Sequence, residues 1–368
     1  MTTWSIDPLP VPDGPDDPGL RELAHVTNAV DRELWGSDDF RRTTRELLES
    51  LRDDPYERHV VLGARDGGAL LGYALLHLPR RENTHTGALE LGVLPEHRRR
   101  GIGTALHAAA LAHARADGRT RLTASTDQRV EPAPGTGTLA PPTGEGLVAA
   151  DDAGVRFARR HGWDLEQVAR YSVLDVPRDG DAAAREHVAR LRADAEAHAG
   201  PDYRLLAWSA PTPADYAEQF AALQTEMSAD DPHAGFEQDT QEWDAERVRR
   251  GEQTWAAQGR ALLVMCAEHV PTRTLAAYTD LLVPDEPGEY VHQYDTLVAR
   301  AHRGRRLGML VKTANVQRLV DELPAVRRIG TWNAEENRWM LAINVALGFR
   351  PAGGSGEWQL RLDGRGDA

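Results

Sequence analysis

Two stretches of this chain carry residue types suited to holding an anion, and a carboxylate stands beside each. In Leu89–Leu106, "LELGVLPEHRRRGIGTAL", an apolar run meets a short turn (Pro95, Glu96) and then a basic loop that opens a helical pattern. That loop runs Arg98, Arg99, Arg100, Gly101, Ile102, Gly103, Thr104. The start of a helix leaves several backbone N–H groups unpaired, and these can cradle a phosphate. Gly101 and Gly103 let a diphosphate approach the main chain without a Cβ in the way. The arginines add charge-assisted contacts. Tyr294–Leu310, "YDTLVARAHRGRRLGML", repeats the arrangement with Arg303, Gly304, Arg305, Arg306, Gly308 and Met309. Glu90 and Asp295 hold the same place on the two preceding runs. A carboxylate among apolar neighbours on a half-covered strand should have a raised pKa, which suits a proton acceptor.

The repetition is regular. Glu90 and Asp295, Arg98 and Arg303, and Gly103 and Gly308 are each 205 apart (295−90, 303−98, 308−103). A second block recurs as "ARRHGW" (Ala158–Trp163) and "NVALGF" (Asn344–Phe349), with Gly162 and Gly348 186 apart (348−162). The first copy therefore holds 19 more residues (205−186) between its blocks. They fall in residues 126–152, a Pro/Gly/Thr-rich stretch that reads as a surface insertion.

The elements that must position these residues follow from periodicity and punctuation. In the first copy, Leu20–Leu34 is a helical pattern, and Asp38 and Asp39 can cap a second helix reaching Leu51. His59–Ala64 and Ala69–Leu78 are strands joined by "RDGG", followed by the strand Leu89–Leu94, the loop helix Gly101–Ala116 and the strand Arg121–Ser125. A short helix, Ala153–Arg160, and a closing strand, Gln167–Val176, end the copy. The second copy restarts at Tyr203 and runs through the same order to a last strand, Gly356–Leu362. Residues 1–178 and 201–368 are thus expected to be two domains, with 179–200 as a charged, Ala-rich helical connector.

With 368 residues the chain has room for two cores. A net charge of −14 argues against nucleic acid or an anionic membrane as partner. One cysteine, Cys266, excludes an internal disulfide framework and a cysteine-based zinc cluster, and it reads as a core residue. The sequence shows no leader pattern and no apolar run of about 18 residues, so a cytoplasmic location is expected.

The paired Arg-x-x-Gly-x-Gly-like loops, and the β-α-α-β-β-β-α-β-α-β order of both halves, resemble the GNAT N-acetyltransferase superfamily. The resemblance covers nearly the whole chain and implies an α/β fold (an α+β mixed sheet) made of two tandem GNAT units. It implies acetyl-CoA as cosubstrate, no metal, and transfer of the acetyl group to the primary amine of a small molecule. Such an enzyme would work as a monomer or a homodimer. In this family the strand before the loop parts from its neighbour and pairs with the pantetheine arm. Carried over, that strand is Leu91, Gly92 and Val93 in copy one and Thr296, Leu297 and Val298 in copy two. Asp295 and Glu90 become the candidate bases, with the second copy as the active one and the first as a weaker binder or structural partner; the swapped assignment, with copy one active through Glu90, is the alternative. Asn333 and Asn337 of "TWNAEENRWMLAINVALGF" are placed to touch the coenzyme arm, although each also fits a helix-capping role.

Two departures are visible. Where many relatives have a tyrosine acid, copy two has Asn344 and copy one Ala158, and an amide does not ionise usefully. Tyr278, Tyr290, Tyr294 or water would have to substitute. The alternative is a non-catalytic acyl-CoA-binding or regulatory protein with degenerate GNAT units. His97 and His302 match in the repeat and read as turn or phosphate-side residues, and Asp230–Glu237 as a loop covering the acceptor of copy two.

Overall fold

Asp17 begins the first helix: its side chain accepts the Leu20 N–H over 3.0 Å, with Pro18 in the first turn where a missing N–H costs nothing. The second helix is started by a capping box, Thr43 and Glu46 each accepting the other's backbone N–H. Thr43 takes the place expected for Asp38 and Asp39 because only it lies three residues before a glutamate. The structure is a computed structural model that describes residues 4–178, 180–286 and 288–362. Residue 179, where the connector was expected to begin, and the two chain ends lie outside them.

The chain forms two compact units. Unit 1 comprises residues 1–169, 233–239 and 353–368, and unit 2 comprises 170–232 and 240–352. In the first run of chain lie β1 (Trp4–Pro8), α1 (Pro18–Trp35), α2 (Thr44–Leu51), β2 (Glu57–Asp66), β3 (Ala69–Pro79), β4 (Ala88–Val93), α3 (Ile102–Ala116) and β5 (Arg121–Gln128). Then come β6 (Thr138–Leu139), β7 (Val148–Ala149), α4 (Ala153–Arg160) and β8 (Asp164–Asp175). The expected insertion carries the small β6–β7 ladder. The sheet of unit 1 follows β1-β2-β3-β4 antiparallel, then β5 parallel to β4. α3 covers one face through Ile102, Leu106 and Ala110, while α1 and α2 cover the other through Leu23, Val26, Leu47 and Leu51.

The second run holds α5 (Ala182–Ala199), β9 (Tyr203–Ser209), α6 (Ala217–Asp230), α7 (Ala245–Ala257), β10 (Arg260–His269), β11 (Thr274–Pro284) and β12 (Tyr290–Val298). It ends with α8 (Leu307–Glu322), β13 (Arg328–Ala334), α9 (Arg338–Leu347) and β14 (Arg350–Arg361). Strands β9-β10-β11-β12 are antiparallel neighbours, and β13 runs parallel to β12. Cys266 is fully buried, as its apolar surroundings in sequence imply.

Three boundaries differ from the sequence expectation. Residues 354–361 of β14 pair antiparallel with β5, so the last strand completes the sheet of unit 1. Residues 233–239 also belong to unit 1: Asp239 and Asn83 exchange backbone-to-side-chain bonds of 2.6 and 3.1 Å, and Glu237 meets Arg121. This is the second part of the stretch expected to cover the acceptor of copy two. Third, α5, expected as a connector, is packed into a core. Its Val188, Ala195 and Ala199 are buried with Val316, Leu310 and Ala314 of α8, which makes it part of unit 2. No described helix is long and apolar enough to cross a membrane.

Candidate functional site

Each loop helix starts without a side-chain cap. The N-cap residues are Gly101 and Arg306, and neither helix receives a capping bond, whereas α1, α2, α4, α5, α7 and α9 all do. The first i→i−4 bonds run from Ala105 to Gly101 and from Leu310 to Arg306, both 3.0 Å. The N–H groups of the turn before each have no intrahelical partner. The approach is left-handed at two residues per loop. In unit 1 these are Arg99 (φ 63°) and Gly101 (φ 84°); in unit 2 they are Gly304 (φ 78°) and Arg306 (φ 57°). The two conformations recur at the 205-residue offset, but glycine and arginine have changed places. Gly103 and Gly308 pack their helices closely: a Cβ on Gly308 would stand 3.1 Å from Ile343 and 3.5 Å from Val298.

The first arginine of each loop is already engaged. Arg98 donates through Nε to the Val93 carbonyl (3.0 Å) and through both terminal nitrogens to Glu33 of α1 (3.0 and 2.6 Å). Arg303 repeats this with the Val298 carbonyl (3.1 Å) and Asp230 of α6. These guanidinium groups tie the strand end and loop to the first helix, where the sequence placed them against a phosphate. Arg99, Arg100, Arg305 and Arg306 are exposed around the uncapped helix starts. Arg100 contacts His97 (3.0 Å), and Arg305 lies 5.7 Å over the Tyr203 ring. His302 accepts from or donates to Tyr203 over 2.8 Å, a turn role. Thr104 faces His161 at 3.5 Å, and Met309 packs into the core with its carbonyl accepting from Thr313.

The strands before the loops part as expected. β4 and β5 are paired at Ala88↔Thr123 and no further along, so Leu89–Val93 leave one main-chain edge open. β12 and β13 are paired from Tyr290↔Arg328 to His292↔Gly330, and Gln293–Val298 run free on that side. Leu91, Val93, Leu297 and Val298 all lie on these open edges. Their backbone groups have the geometry of a slot for an extended chain.

The carboxylates share a partner and differ in everything else. Tyr73 donates to Glu90, and Tyr278 donates to Asp295 (3.2 Å), again 205 residues apart (278−73). Glu90 also forms a two-pronged ion pair with Arg42 (2.6 and 3.2 Å). Burial alone would raise its carboxyl, but the Arg42 charge and these hydrogen bonds bring it down to about 2. The raised pKa expected for Glu90 is therefore corrected: a lone carboxylate was assumed, and an arginine 48 residues away neutralises it.

Asp295 has no ion-pair partner among the described residues. Burial pushes its carboxyl up, against the Tyr278 hydrogen bond, to about 6. It stands on a β-bulge: Thr279 pairs with Thr296 and Leu281 with Gln293, so Tyr294 and Asp295 together oppose Asp280. The Asp295 N–H, displaced from the ladder, is accepted by Asp280 Oδ1 at 2.7 Å, while Asp280 Oδ2 is buried without a partner. Burial and the Asp295 charge hold Asp280 well above the usual carboxylate range. In unit 1 the corresponding register is regular and Leu75 replaces Asp280 (280−205).

The two asparagines have other work. Asn337 is the N-cap of α9, accepting the Met340 N–H at 3.2 Å, and Asn333 accepts from Asn344 at 2.7 Å. Asn344 is buried, so the position expected for a tyrosine acid is a structural amide. Tyr290 bonds Tyr171 at 3.2 Å, and Tyr294 stands edge-on to Trp255 at 5.7 Å with 48% of its surface exposed. Sequence reading missed Arg42, Tyr73 and Asp280 as site residues. The signal available for Tyr73 was its match to Tyr278 at the repeat offset.

Residues 20–134 match the family described as "Acetyltransferase (GNAT) family". Over 99% of this chain and 100% of the other, the structure is similar to a tandem GNAT protein from the clavulanic acid biosynthesis pathway, with 27% identity and a TM-score of 0.75. It is similar in fold to a GCN5-related N-acetyltransferase from Sphaerobacter thermophilus (12% identity, 100% and 98% of the two chains, TM-score 0.61). N-myristoyltransferase of Saccharomyces cerevisiae, solved with myristoyl-CoA, is also similar in fold (10% identity, 98% and 79%, TM-score 0.57). Residues 20–134 thus match a GNAT acetyltransferase domain, and over its whole length the chain is similar to a tandem GNAT protein, with a mixed α/β fold.

Proposed function

We propose that this protein transfers an acetyl group from acetyl-CoA to the primary amine of a small molecule, and that unit 2 is the active copy. The observation that carries this reading is the contrast between Asp295, a half-buried carboxylate with no cation beside it, and Glu90, neutralised by Arg42. The uncapped starts of α3 and α8 and the open edges of β4 and β12 fit a diphosphate and its extended arm. In unit 2 the residues that would hold it are Gly304, Arg305, Arg306, Gly308 and Met309 at the helix start and Thr296, Leu297 and Val298 along the strand. Arg303 fixes the loop. The coenzyme supplies the acyl group as an activated thioester.

Asp295 then accepts the proton that the ammonium or the attacking amine must lose, directly or through a water molecule. The amine nitrogen forms its bond to the acyl carbon as the bond to sulfur breaks, and the thiolate takes its proton from solvent. Tyr278 orients Asp295, and Asp280 holds the bulge on which it stands. The acceptor is an amine that reaches this carboxylate, and the net charge of −14 favours a cationic small molecule. Unit 1 carries a coenzyme cradle of the same design without a free base.

The test is release of free thiol from acetyl-CoA in the presence of a panel of primary amines, with the acylated amine identified by mass. Turnover with at least one amine supports the reading. Tight acetyl-CoA binding with no turnover across the panel would favour a binding or regulatory protein, for which the amide at Asn344 is the supporting feature.

A further inference from the structure

Beside the start of β4, where His77 pairs with Ala88, the hairpin of β2 and β3 brings two histidines and a glutamate to one point. His59 and His77 are directly opposite in the antiparallel register. Glu57, two residues before His59, shares its face. Oε2 of Glu57 lies 3.0 Å from Nε2 of His59 and 3.4 Å from Nδ1 of His77. One ligand atom from each residue falls within 4.8 Å of the other two. A zinc ion with bonds of about 2.0–2.1 Å in tetrahedral geometry sets its ligand atoms roughly 3.3 Å apart. The three side chains already stand near that spacing.

The second observation is the other nitrogen of His59. Its side chain is 6% exposed, and Nδ1 is buried without a hydrogen bond. The carboxylate nearest to it is Asp53, with Oδ1 at 4.0 Å. That oxygen is fixed by accepting the His59 backbone N–H at 2.9 Å. If a neutral His59 keeps its proton on Nε2 to bond Glu57, Nδ1 turns a lone pair toward a carboxylate in a buried setting. A metal on Nε2 reverses this. The ring proton moves to Nδ1, where it faces Asp53 in the carboxylate–histidine–metal order that orients ligating histidines. The rings meet edge-on, with an interplanar angle of 86°, so both can aim a nitrogen at one ion. The Glu57 and His77 side chains are partly exposed, so an ion can reach them from solvent.

We propose that Glu57, His59 and His77 form a divalent transition-metal site, best suited to Zn²⁺, with Asp53 as the outer partner of His59 and water in the remaining position. Two nitrogens and one oxygen suit zinc better than magnesium or calcium, which prefer oxygen ligands throughout. This is a metal in a chain whose sequence pointed to none. It is independent of the acyl-transfer reading, because no group of the unit 2 site takes part.

The test uses the full-length, tag-free protein after removal of metal with a chelator. Zn²⁺ is titrated against a chromophoric chelator, and Co²⁺ is added separately to give the visible absorption of a four-coordinate ion. We expect one equivalent bound and a four-coordinate cobalt spectrum. Glu57→Gln and His77→Ala, both at partly exposed positions, should each weaken binding by about 100-fold or more, and Asp53→Asn by about 10-fold. Metal-free melting midpoints of the variants, compared with the parent, separate loss of ligand from loss of fold. No stoichiometric uptake by the parent chain, or uptake unchanged in both ligand variants, overturns the proposal.

Discussion

The Tyr278 hydroxyl donates to the Asp295 carboxylate over 3.2 Å, on a strand that has just parted from its neighbour. Tyr73 makes the same bond to Glu90 in the other unit. The duplicated pair shows what the two copies inherit in common, and the groups around it show how they diverge. Arg42 turns Glu90 into half of an ion pair, and a bulge anchored by Asp280 leaves Asp295 as a half-buried carboxylate able to take a proton. Tyr278→Phe should leave Asp295 in place but remove the bond that lowers its pKa. The acid limb of the rate profile should then move to higher pH, and an unmoved limb would show that this contact does not act on the base.

The pH dependence of turnover follows from the same group. Asp295 is held at about 6, above its ordinary 3.8, and acts as a base only when ionised. kcat/KM for a good acceptor should therefore fall on the acid side with a midpoint near pH 6. A midpoint below pH 5 would place the base elsewhere. The acceptor amine adds a second, higher limb that should vary with the amine while the acid limb stays fixed.

Asp280 gives a prediction with a definite sign. Its folded pKa is raised, so the unfolded chain gives up this proton more readily as pH rises from about 4, and folding loses stability over that range. Asp280→Asn keeps an oxygen for the Asp295 N–H and removes this cost. It should raise the melting midpoint at pH 7 relative to the parent, with little gain at pH 4, and keep turnover within a few fold. Asp280→Leu, the residue unit 1 carries at position 75, leaves that N–H unpaired and should cost about 1–3 kcal/mol together with most of the activity. Equal behaviour of the two variants would show that the bond to the bulge is unimportant.

Asn337 separates a cap from a ligand. Its side chain accepts the Met340 N–H, so Asn337→Ala should lower stability by about 1 kcal/mol, and Asn337→Asp should restore it. Neither change should alter coenzyme affinity by more than about two-fold. A ten-fold loss of affinity at unchanged stability would return Asn337 to the binding role its sequence position implied.

Much of the fold was legible because it depends on local pattern. The "RDGG" turn, the alternation in β3 and the glycine-punctuated loops place most elements close to where they occur, and the 205-residue offset declares the duplication. What escaped the sequence depends on distant partners. Residues 354–361 pair with β5 rather than with a strand of their own copy, and nothing in their composition names that partner. Arg42 lies 48 residues from Glu90 and comes from a loop with no periodicity. The bulge at Tyr294 and Asp295 arises from the mismatch of two strands, so neither strand alone reveals it. His59 and His77 become neighbours through hairpin register, at a spacing no linear metal motif contains.

The loop itself is tested at Gly308. A Cβ there would crowd the end of the Ile343 side chain at 3.1 Å and touch Val298 at 3.5 Å, so the branched Gly308→Val crowds the start of α8 against α9 and the strand edge. Calorimetric titration with CoA should show affinity for the unit 2 site reduced by about ten-fold or more, given how costly tight packing is to disturb. The same affinity in the variant would mean that the ligand does not use this helix start.

The assignment of chemistry to unit 2 is tested most directly by thiol release from acetyl-CoA in two variants assayed side by side, with an amine the parent accepts. Asp295→Asn should lower kcat by about 100- to 10,000-fold with CoA binding retained, the range typical of losing a general base. Glu90→Gln should leave kcat within a few fold, at a stability cost of about 1–2 kcal/mol for a partly exposed ion pair. The reverse pattern, with Asp295→Asn active and Glu90→Gln dead though folded, would contradict the account.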